Sequence, residues 1–306
     1  MTTVLFLNPL ANRRKDRFVT LLERHLQAVG ERCCRFETYP QVAQTVAAFE
    51  RLQATTAIER VVVLGGDGTL HQAANAIVGS QLPVGYIPCG TGNDFARSWF
   101  QAQVGSKSKL HSDQFWLEQA LTAPIQTIDL GQVGSRYFIN VAGVGFDAEI
   151  VQRLGHKKYL WPRLSYLACA LLSLINYREQ PLHFRGTQQK LLALGQRKTL
   201  LLTAANGNYF GAGMHIAPHA VLNDGYLAYS LIEAMPLWRK LVSLPKLYQG
   251  RHLGLKQVHS GQFSALEITT PNLPVEADGE WIGTTPIRIR TIPAAFQLRR
   301  PETGSS

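Results

Sequence analysis

The sequence predicts two domains: an α/β N-terminal domain with a doubly wound, mostly parallel sheet, and a C-terminal domain that is mostly an antiparallel β-sandwich. Three observations support this fold class. Short apolar runs alternate with segments of helical periodicity over residues 1–124, a rhythm typical of βαβ units. After Pro124, short strand-like runs separated by Gly, Pro, Asn and Asp dominate, as in antiparallel hairpins. Glycine-rich turns follow two consecutive strands of the first domain.

The first domain, residues 1–124, begins with an apolar run at 4–7 that predicts a strand. Apolar residues at helical spacing then predict a helix over 16–29, with Gly30 as its stop signal. The next predicted elements are a strand at 33–39, a helix at 41–52, a strand at 61–64, a helix at 70–78 and a strand at 84–87. The uninterrupted apolar run at 61–64 is typical of a strand at the centre of a parallel sheet.

The second domain is predicted over residues 125–291, and the tail 292–306 is expected to pack back on the first domain. A polar loop over 101–112 and a helix that ends at Leu121 precede it. Its predicted strands cover 125–133, 136–142, 199–205, 226–232, 265–269 and 287–291. Helices are predicted near 159–177 and over 237–250. We expect the active site between the two domains, where ligand pockets commonly form.

Composition indicates a soluble, cytoplasmic globular protein. Its 306 residues are 45% hydrophobic and 17% charged, which excludes disorder. The most apolar stretch, 164–175, is shorter than the roughly 20 residues of a membrane span. The cysteines lack metal-ligand spacing and predict reduced thiols; they are Cys33, Cys34, Cys89 and Cys169. The net charge of +10 suits anionic lipid or a phosphate-rich substrate, and without a zinc-finger or RNA-binding motif no nucleic-acid partner is expected.

Two glycine-rich turns are the strongest local signal. The first, Gly65-Gly66-Asp67-Gly68-Thr69, lies between a buried strand and a helix. Glycines let such a turn bring its N–H groups against phosphate oxygens, and the start of the helix adds a positive dipole end. A second turn, Gly90-Thr91-Gly92-Asn93-Asp94, follows the next strand and offers Asn93 or Asp94 as a helix cap. A single glycine turn between a strand and a helix can be required by backbone geometry alone. Two such turns at one edge of the sheet predict a nucleotide site.

These turns sit within an ordered set of motifs that closely resembles the diacylglycerol-kinase catalytic family, specifically the soluble YegS-like bacterial lipid kinases. The two strongest matches are the segments 65–70 and 90–97. The weaker matches, in family order, are Asn8-Pro9, Thr38, Ile128-Asp129-Leu130-Gly131, Phe138-Ile139-Asn140, Gly145-Phe146-Asp147, Asn206-Gly207, Asn223-Asp224-Gly225 and Ala277-Asp278-Gly279-Glu280. The chain departs from the family at His71-Gln72, where related kinases have Asn-Glu. The resemblance implies a fold of the phosphofructokinase and NAD-kinase type and the use of ATP and Mg²⁺.

The resemblance also implies roles for individual residues. ATP would be bound by Asn8, Thr38, Gly65, Gly66, Asp67, Gly68, Thr69, Thr91, Gly92, Asn93 and Asp94. The catalytic Mg²⁺ would lie in an acidic network of Asp67, Asp94 and Asp129, and a structural Mg²⁺ would be held by Asp224 with the carbonyls of Val221 and Tyr226. Asp278 would be the general base, with Glu280 in support. By local sequence alone, Asp224-Gly225 and Asp278-Gly279 are equally typical of tight turns.

The expected acceptor is the hydroxyl of diacylglycerol or a related glycerolipid such as phosphatidylglycerol, reached transiently at the inner face of the cell membrane. Two segments could dock on an anionic surface, or could equally be helices with a solvated basic face. In the first segment, the apolar run 164–175 follows Arg153, His156, Lys157, Lys158, Trp161 and Arg163. The second segment, 237–256, contains Trp238, Arg239, Lys240, Lys246, Arg251 and Lys256. A homodimer is compatible with the sequence.

Other functions stay open alongside the lipid kinase. NAD kinase also uses a glycine-rich GGDG turn, and sphingoid-base or ceramide kinases share the wider superfamily. A catalytically weakened lipid- or nucleotide-binding regulator is suggested by His71-Gln72. The second glycine turn and the late Asp278 motif favour the lipid kinase over NAD kinase, and the presence of Asp67, Asp94 and Asp278 argues against the regulator.

Overall fold

The structure, a computed structural model, describes residues 2–10, 12–101, 112–154, 173–186 and 189–300. The chain forms two compact units. The first comprises Met1–Asp129 together with Ala294–Ser306, and the second comprises Leu130–Pro293. The predicted loop at 101–112 and the predicted helix near 159–177 lie mostly outside the described residues.

The first unit is built on a parallel sheet with the strand order β2-β1-β3-β4, to which the end of β16 adds beside β4. Its elements are β1 (Thr2–Leu7), α1 (Arg13–Ala28), β2 (Arg32–Glu37), α2 (Val42–Thr55), β3 (Arg60–Gly65), α3 (Asp67–Ile77), β4 (Val84–Pro88), α4 (Asp94–Gln101), α5 (Asp113–Leu121), the first half of β5 (Ile125–Val133) and the end of β16 (Ile287–Arg299). The alternation of strands and helices predicted from the sequence is confirmed.

Burial on both faces fixes the centre of this sheet. β3 lies between β1 and β4, and its run from Val61 to Leu64 is fully buried, as its continuous apolar sequence predicts. Three phenylalanines attach α2 to the sheet: the ring centroid of Phe6 lies 5.0 Å from that of Phe36 and 5.7 Å from that of Phe49. Edge and tilted ring contacts of this kind add to the area they bury.

The second unit is mostly antiparallel. One sheet has the order β12-β11-β10-β7-β14-β15, with β8 beside β10. The other strands pair β5 with β6, and β13 with both β9 and the start of β16. The elements that complete this unit are β6 (Arg136–Phe138), β7 (Val141–Gly145), α6 (Phe146–Leu154), β8 (Gln180–Pro181), β9 (Phe184–Gly186), α7 (Gln189–Leu192), β10 (Lys198–Ala205), β11 (Leu227–Glu233), α8 (Leu237–Tyr248), a 3₁₀ turn (Arg251–Gly254), β12 (Val258–Phe263), β13 (Ala265–Ile268), β14 (Pro274–Ala277) and β15 (Glu280–Thr284).

Side-chain alternation along β10 builds two apolar clusters. Leu202 and Ala204 point into a cluster that also contains Leu266 and Ile289 from the other strand group, which is the core of a β-sandwich. Leu201 and Ala205 point to the opposite face and its own cluster. The predicted sandwich is therefore confirmed.

Some boundaries differ from the sequence prediction. The predicted strand at 136–142 is two strands, because residues 139 and 140 bend away between β6 and β7. β16 continues past Pro293 to Arg299, with Ala294 in the left-handed region (φ 50°). The helix α6 is not among the predicted elements. No helix within the described ranges is long and apolar enough to span a bilayer.

Candidate active site

The loops after β1, β2, β3 and β4 bring the predicted nucleotide-binding residues of the first unit together. All four strands are parallel neighbours, so their carboxyl ends meet at one edge of the sheet, where open α/β sheets bind ligands. The residues placed there are Asn8, Thr38, Gly65, Gly66, Asp67, Gly68, Thr69, Thr91, Gly92, Asn93 and Asp94.

The two glycine turns contact each other through their backbones. A Cβ atom added at Gly90 would lie 2.4 Å from the Cα of Gly66, and one added at Gly66 would lie 3.0 Å from the Cα of Gly90. The N–H of Cys89 donates to the carbonyl of Gly65 at 2.8 Å. Asn93, in the left-handed region at φ 51°, closes the second turn by accepting from the N–H of Gly90 at 3.0 Å. Because the contact is backbone to backbone, only glycine fits at Gly66 and Gly90 without a shift of the chain.

Asp67 ties the first turn to the second. Its Oδ2 accepts the N–H of Asp94 at 3.0 Å, and its Oδ1 accepts the N–H of Phe95 at 3.0 Å. These amides belong to the first turn of α4, which has few intrahelical partners for its N–H groups. Asp67 therefore caps a helix from another loop and places a negative charge at its positive end.

The acidic pair Asp67 and Asp94 fits a nucleotide-dependent cation. A Cβ atom at Gly92 would lie 3.3 Å from Asp67 Oδ2 and 3.9 Å from Asp94 Oδ2, so both carboxylates approach the same glycine. Asp94 is buried, and its Oδ1 lies 3.6 Å from Arg97 Nε. No group of three or more His, Cys, Asp or Glu side chains that could hold a metal exists among the described residues. Two carboxylates completed by phosphate oxygens and water are the ligands that Mg²⁺ prefers.

The loop after β1 is fastened by residues that the motif reasoning did not include. Lys15 is buried, and its Nζ donates to the carbonyls of Asn8 at 2.6 Å and Leu10 at 2.7 Å. Asn12 caps α1 and donates from Nδ2 to the carbonyl of Cys89 at 2.7 Å. The sequence carries a signal for this arrangement, because basic residues at a helix N-terminus oppose the helix dipole and Arg13-Arg14-Lys15 open α1.

At His71-Gln72, the glutamine side chain bonds the segment that follows β2. Gln72 donates from Nε2 to the carbonyl of Tyr39 at 3.1 Å and accepts from the hydroxyl of Thr45. The amide therefore holds the loop after β2, where Thr38 is buried and donates its N–H to Leu7. His71 is fully buried.

Asp129 lies on β5 in the first unit, and its side chain is buried. Its Oδ1 accepts the N–H of Ala294 at 2.8 Å, so it holds the backbone at the left-handed residue of β16. The described contacts give Asp129 a structural role, and its place in a metal network stays a prediction.

In the second unit, Asp278 and Gly279 form the turn between β14 and β15. Both lie in the left-handed region, at φ 49° and 80°, as a two-residue hairpin requires. The hairpin interpretation of this Asp-Gly pair is therefore confirmed, and Glu280 opens β15.

The Asp278 carboxylate accepts three backbone N–H groups. Oδ2 bonds Ile139 at 2.9 Å, and Oδ1 bonds Asn140 and Val141, each at 3.0 Å. These bonds explain the interruption between β6 and β7, because they satisfy backbone donors that leave the strand ladder. Catalytic roles of Asp278 and Glu280 stay predictions.

Asp224 forms a turn whose carboxylate is already bonded. Oδ1 accepts the N–H of Tyr226 at 3.0 Å, and Oδ2 accepts Gln262 Nε2 at 2.8 Å. Such an Asx-type turn is stable without a metal. Val221 and Tyr226 are exposed, and the structural Mg²⁺ expected from Val221, Asp224 and Tyr226 stays a prediction.

The structure adds an acidic residue to which the sequence reasoning gave no role. The carboxyl of Asp147, in the first turn of α6, occupies the space above Gly143, where a Cβ atom would lie 1.8 Å from Asp147 Oδ2. Burial raises the pKa of this carboxyl to about 7, and Oδ2 has no hydrogen-bond partner among the described residues. The strand register pairs Gly143 with buried Glu276. The sequence shows only that Gly143 precedes Asp147 by four residues, which does not by itself predict a buried acid.

Comparisons with known proteins agree with this architecture. Residues 2–133 match the diacylglycerol kinase catalytic domain, and residues 140–300 match the YegS C-terminal NAD kinase beta sandwich-like domain. These two matches define the class, a kinase with an α/β unit and a β-sandwich unit. More particularly, the chain belongs to the diacylglycerol kinase family of lipid kinases, with a YegS-type C-terminal domain. Kinases of this family use ATP.

Individual relatives span most of the chain. Diacylglycerol kinase of Mycobacterium tuberculosis (strain ATCC 25618 / H37Rv) is 29% identical over 255 residues, which cover 80% of this chain and 78% of that protein. A protein of Yersinia enterocolitica named as a YegS-like lipid kinase is 31% identical over 255 residues, 81% of each chain. A solved diacylglycerol kinase of Bacillus anthracis str. Sterne has a TM-score of 0.63 at 16% identity over 98% of this chain and 96% of its own, a likeness of fold.

Gly90→Ala should weaken ATP binding by roughly tenfold or more, because the added methyl group forces the two turns apart and overpacking of this kind costs about 1–3 kcal/mol. Calorimetric titration of ATP measures the effect. Gly254→Ala is the matched control, since a Cβ atom there meets nothing within 4 Å. Equal ATP affinity of both variants and the wild type would contradict the described contact.

Asp147→Asn should change how stability depends on pH. The carboxyl has a pKa near 7 when folded against 3.8 as the reference value, so the unfolded chain ionises first. The wild type should therefore lose unfolding free energy, relative to the variant, as the pH rises from about 4 to about 7. Denaturant unfolding of both proteins at pH 5 and pH 8 measures this difference; a difference that is the same at both pH values would show that Asp147 is not a protonated buried acid.

Proposed function

We propose that the protein transfers the γ-phosphoryl group of ATP to the hydroxyl of a lipid, either diacylglycerol or a related glycerolipid such as phosphatidylglycerol. One observation carries the proposal: two glycine turns pack backbone to backbone at the carboxyl edge of a parallel sheet, in a chain of the diacylglycerol kinase family. The relatives named as diacylglycerol kinase and as YegS-like lipid kinase support the acceptor class.

Residues of the first unit would bind and orient the nucleotide. The two turns and the N-terminus of α3 would offer N–H donors and a positive dipole end to the phosphates, while the first amides of α4 donate to Asp67. Mg²⁺, held by Asp67 and Asp94 through water, would supply neutralisation of the phosphate charge. By the family resemblance, Asp129 would belong to the acidic network around this metal, in addition to the backbone contact that it makes with Ala294.

Asp278 would accept the proton of the attacking hydroxyl, with Glu280 in support. The three N–H groups that it accepts fix its carboxylate in one orientation, which a general base requires. The same bonds give it an anchoring role, so the experiment must separate the two.

The reaction would take place transiently at the inner face of the cell membrane, with the protein otherwise cytoplasmic. The net charge of +10 favours approach to anionic lipid. NAD kinase is the second candidate, because the C-terminal unit matches a sandwich described as NAD kinase-like.

The test is a transfer assay with the full chain. We expect that γ-³²P-ATP with Mg²⁺ transfers label to diacylglycerol or phosphatidylglycerol in the organic phase, and not to NAD in the aqueous phase. Label on NAD alone would make the protein an NAD kinase, and label on neither acceptor would leave a binding protein without this activity.

Asp278→Asn should lower turnover by about 10²–10⁴-fold with ATP affinity unchanged. Asparagine keeps an oxygen for the N–H groups of Asn140 and Val141, whereas Asp278→Ala removes every acceptor. A general base therefore predicts equal loss of turnover in both variants, with the asparagine protein melting closer to the wild type. Turnover that tracks the melting temperature across the two variants would reduce Asp278 to a backbone anchor.

A further inference from the structure

The helix α8 faces the solvent with its apolar side. Trp238, Leu241, Val242 and Pro245 follow the spacing i, i+3, i+4, i+7 of a helical stripe, and all four are exposed. Trp238 and Val242 are 61% and 65% exposed. An amphipathic helix of a globular protein normally turns such a stripe toward the core.

The inward side of α8 carries a cation. Lys240 is the buried residue of the helix, and its Nζ pairs with Glu179 Oε1 at 2.5 Å. Lys240 is therefore buried against the protein and cannot contact a membrane, contrary to the prediction from the sequence. The ion pair holds α8 in the orientation that exposes the apolar stripe.

The exposed apolar residues are concentrated here. Of the 14 exposed large hydrophobic side chains among the described residues, five lie on this 12-residue helix. Scattered exposed hydrophobics are ordinary, but a contiguous patch indicates a docking site.

The charge of the segment around α8 indicates which partner its exposed apolar face binds. The segment 237–256 contains no acidic residue, and Arg239, Lys246, Arg251 and Lys256 are all exposed. The Arg239 guanidinium lies 5.3 Å from the centroid of the Trp238 ring. A tryptophan with flanking cations and aliphatic side chains suits the boundary between lipid headgroups and acyl chains.

We propose that α8 docks the protein on an anionic bilayer. Trp238, Leu241, Val242 and Pro245 enter the headgroup boundary, and Arg239 and Lys246 contact lipid phosphates. The inference rests on the proposed function, because the lipid acceptor lies in a membrane.

A second copy of the chain suits this face less well. A helix of 12 residues is about 18 Å long and 10–12 Å wide, so its outer side offers on the order of 200 Å². A stable dimer buries about 800 Å² per partner. Docking on a bilayer does not require an area of this size. An enzyme that must release its product and dissociate from the membrane needs only weak, reversible binding.

The test uses the full chain with Trp238→Ser and Val242→Ser combined, and vesicles of phosphatidylcholine and phosphatidylglycerol. We expect sedimentation with these vesicles to fall at least tenfold, and wild-type binding to weaken in high salt and on vesicles of phosphatidylcholine alone. Val29→Ser with Leu192→Ser, which also removes two exposed hydrophobics, is the matched control and should bind as the wild type does.

Activity separates docking from catalysis. On a short-chain diacylglycerol dissolved as monomers, where no surface is present, the α8 variant should phosphorylate at the wild-type rate. Unchanged vesicle binding of the α8 variant would overturn the proposal, as would a wild-type dimer that the variant converts to monomers while vesicle binding stays the same. A wild type that binds vesicles through α8 but labels no lipid would overturn the proposed function and leave the docking surface standing.

Discussion

The contact between the glycine turns at Gly66 and Gly90 is the constraint on which the site of the first unit depends. The contact needs two adjacent parallel strands that end at the same level, and β3 and β4 supply them in register from Val61 opposite Val84 to Gly65 opposite Pro88. The contact also requires that neither Gly66 nor Gly90 carries a side chain. Asp67 then closes the arrangement by capping α4, so contacts within the protein hold the backbone of both turns in place.

Aspartates that bond distant backbone amides recur in both units. Asp67 accepts amides 27 and 28 residues away, Asp129 accepts one 165 residues away, and Asp278 accepts three at 137 to 139 residues. Each carboxylate satisfies donors that no sheet or helix satisfies. Motif aspartates that a sequence comparison would assign to chemistry therefore also hold the backbone, and loss of activity in a variant does not by itself identify a catalytic residue.

The sequence was sufficient for the order of elements in the first unit, because a strand buried on both faces and an amphipathic helix leave different periodicities. It was not sufficient at 139–141, where the strand-like run 136–142 predicts one strand but the Asp278 carboxylate accepts the N–H groups. Nor could it show that Lys15 and Gln72 hold the loops of the site, or that α8 turns a lysine inward. These features depend on contacts between distant segments, which periodicity and spacing do not encode.

The most direct test of the two glycine turns as a nucleotide site uses the variant Asp67→Ala. Hydrogen–deuterium exchange is measured over residues 90–97, and the variant is titrated with ATP and Mg²⁺. The described contacts predict faster exchange at the amides of Asp94 and Phe95, because their acceptors are lost, together with a large loss of ATP affinity. Protection and affinity equal to those of the wild type would contradict the assignment of this turn pair as the nucleotide site.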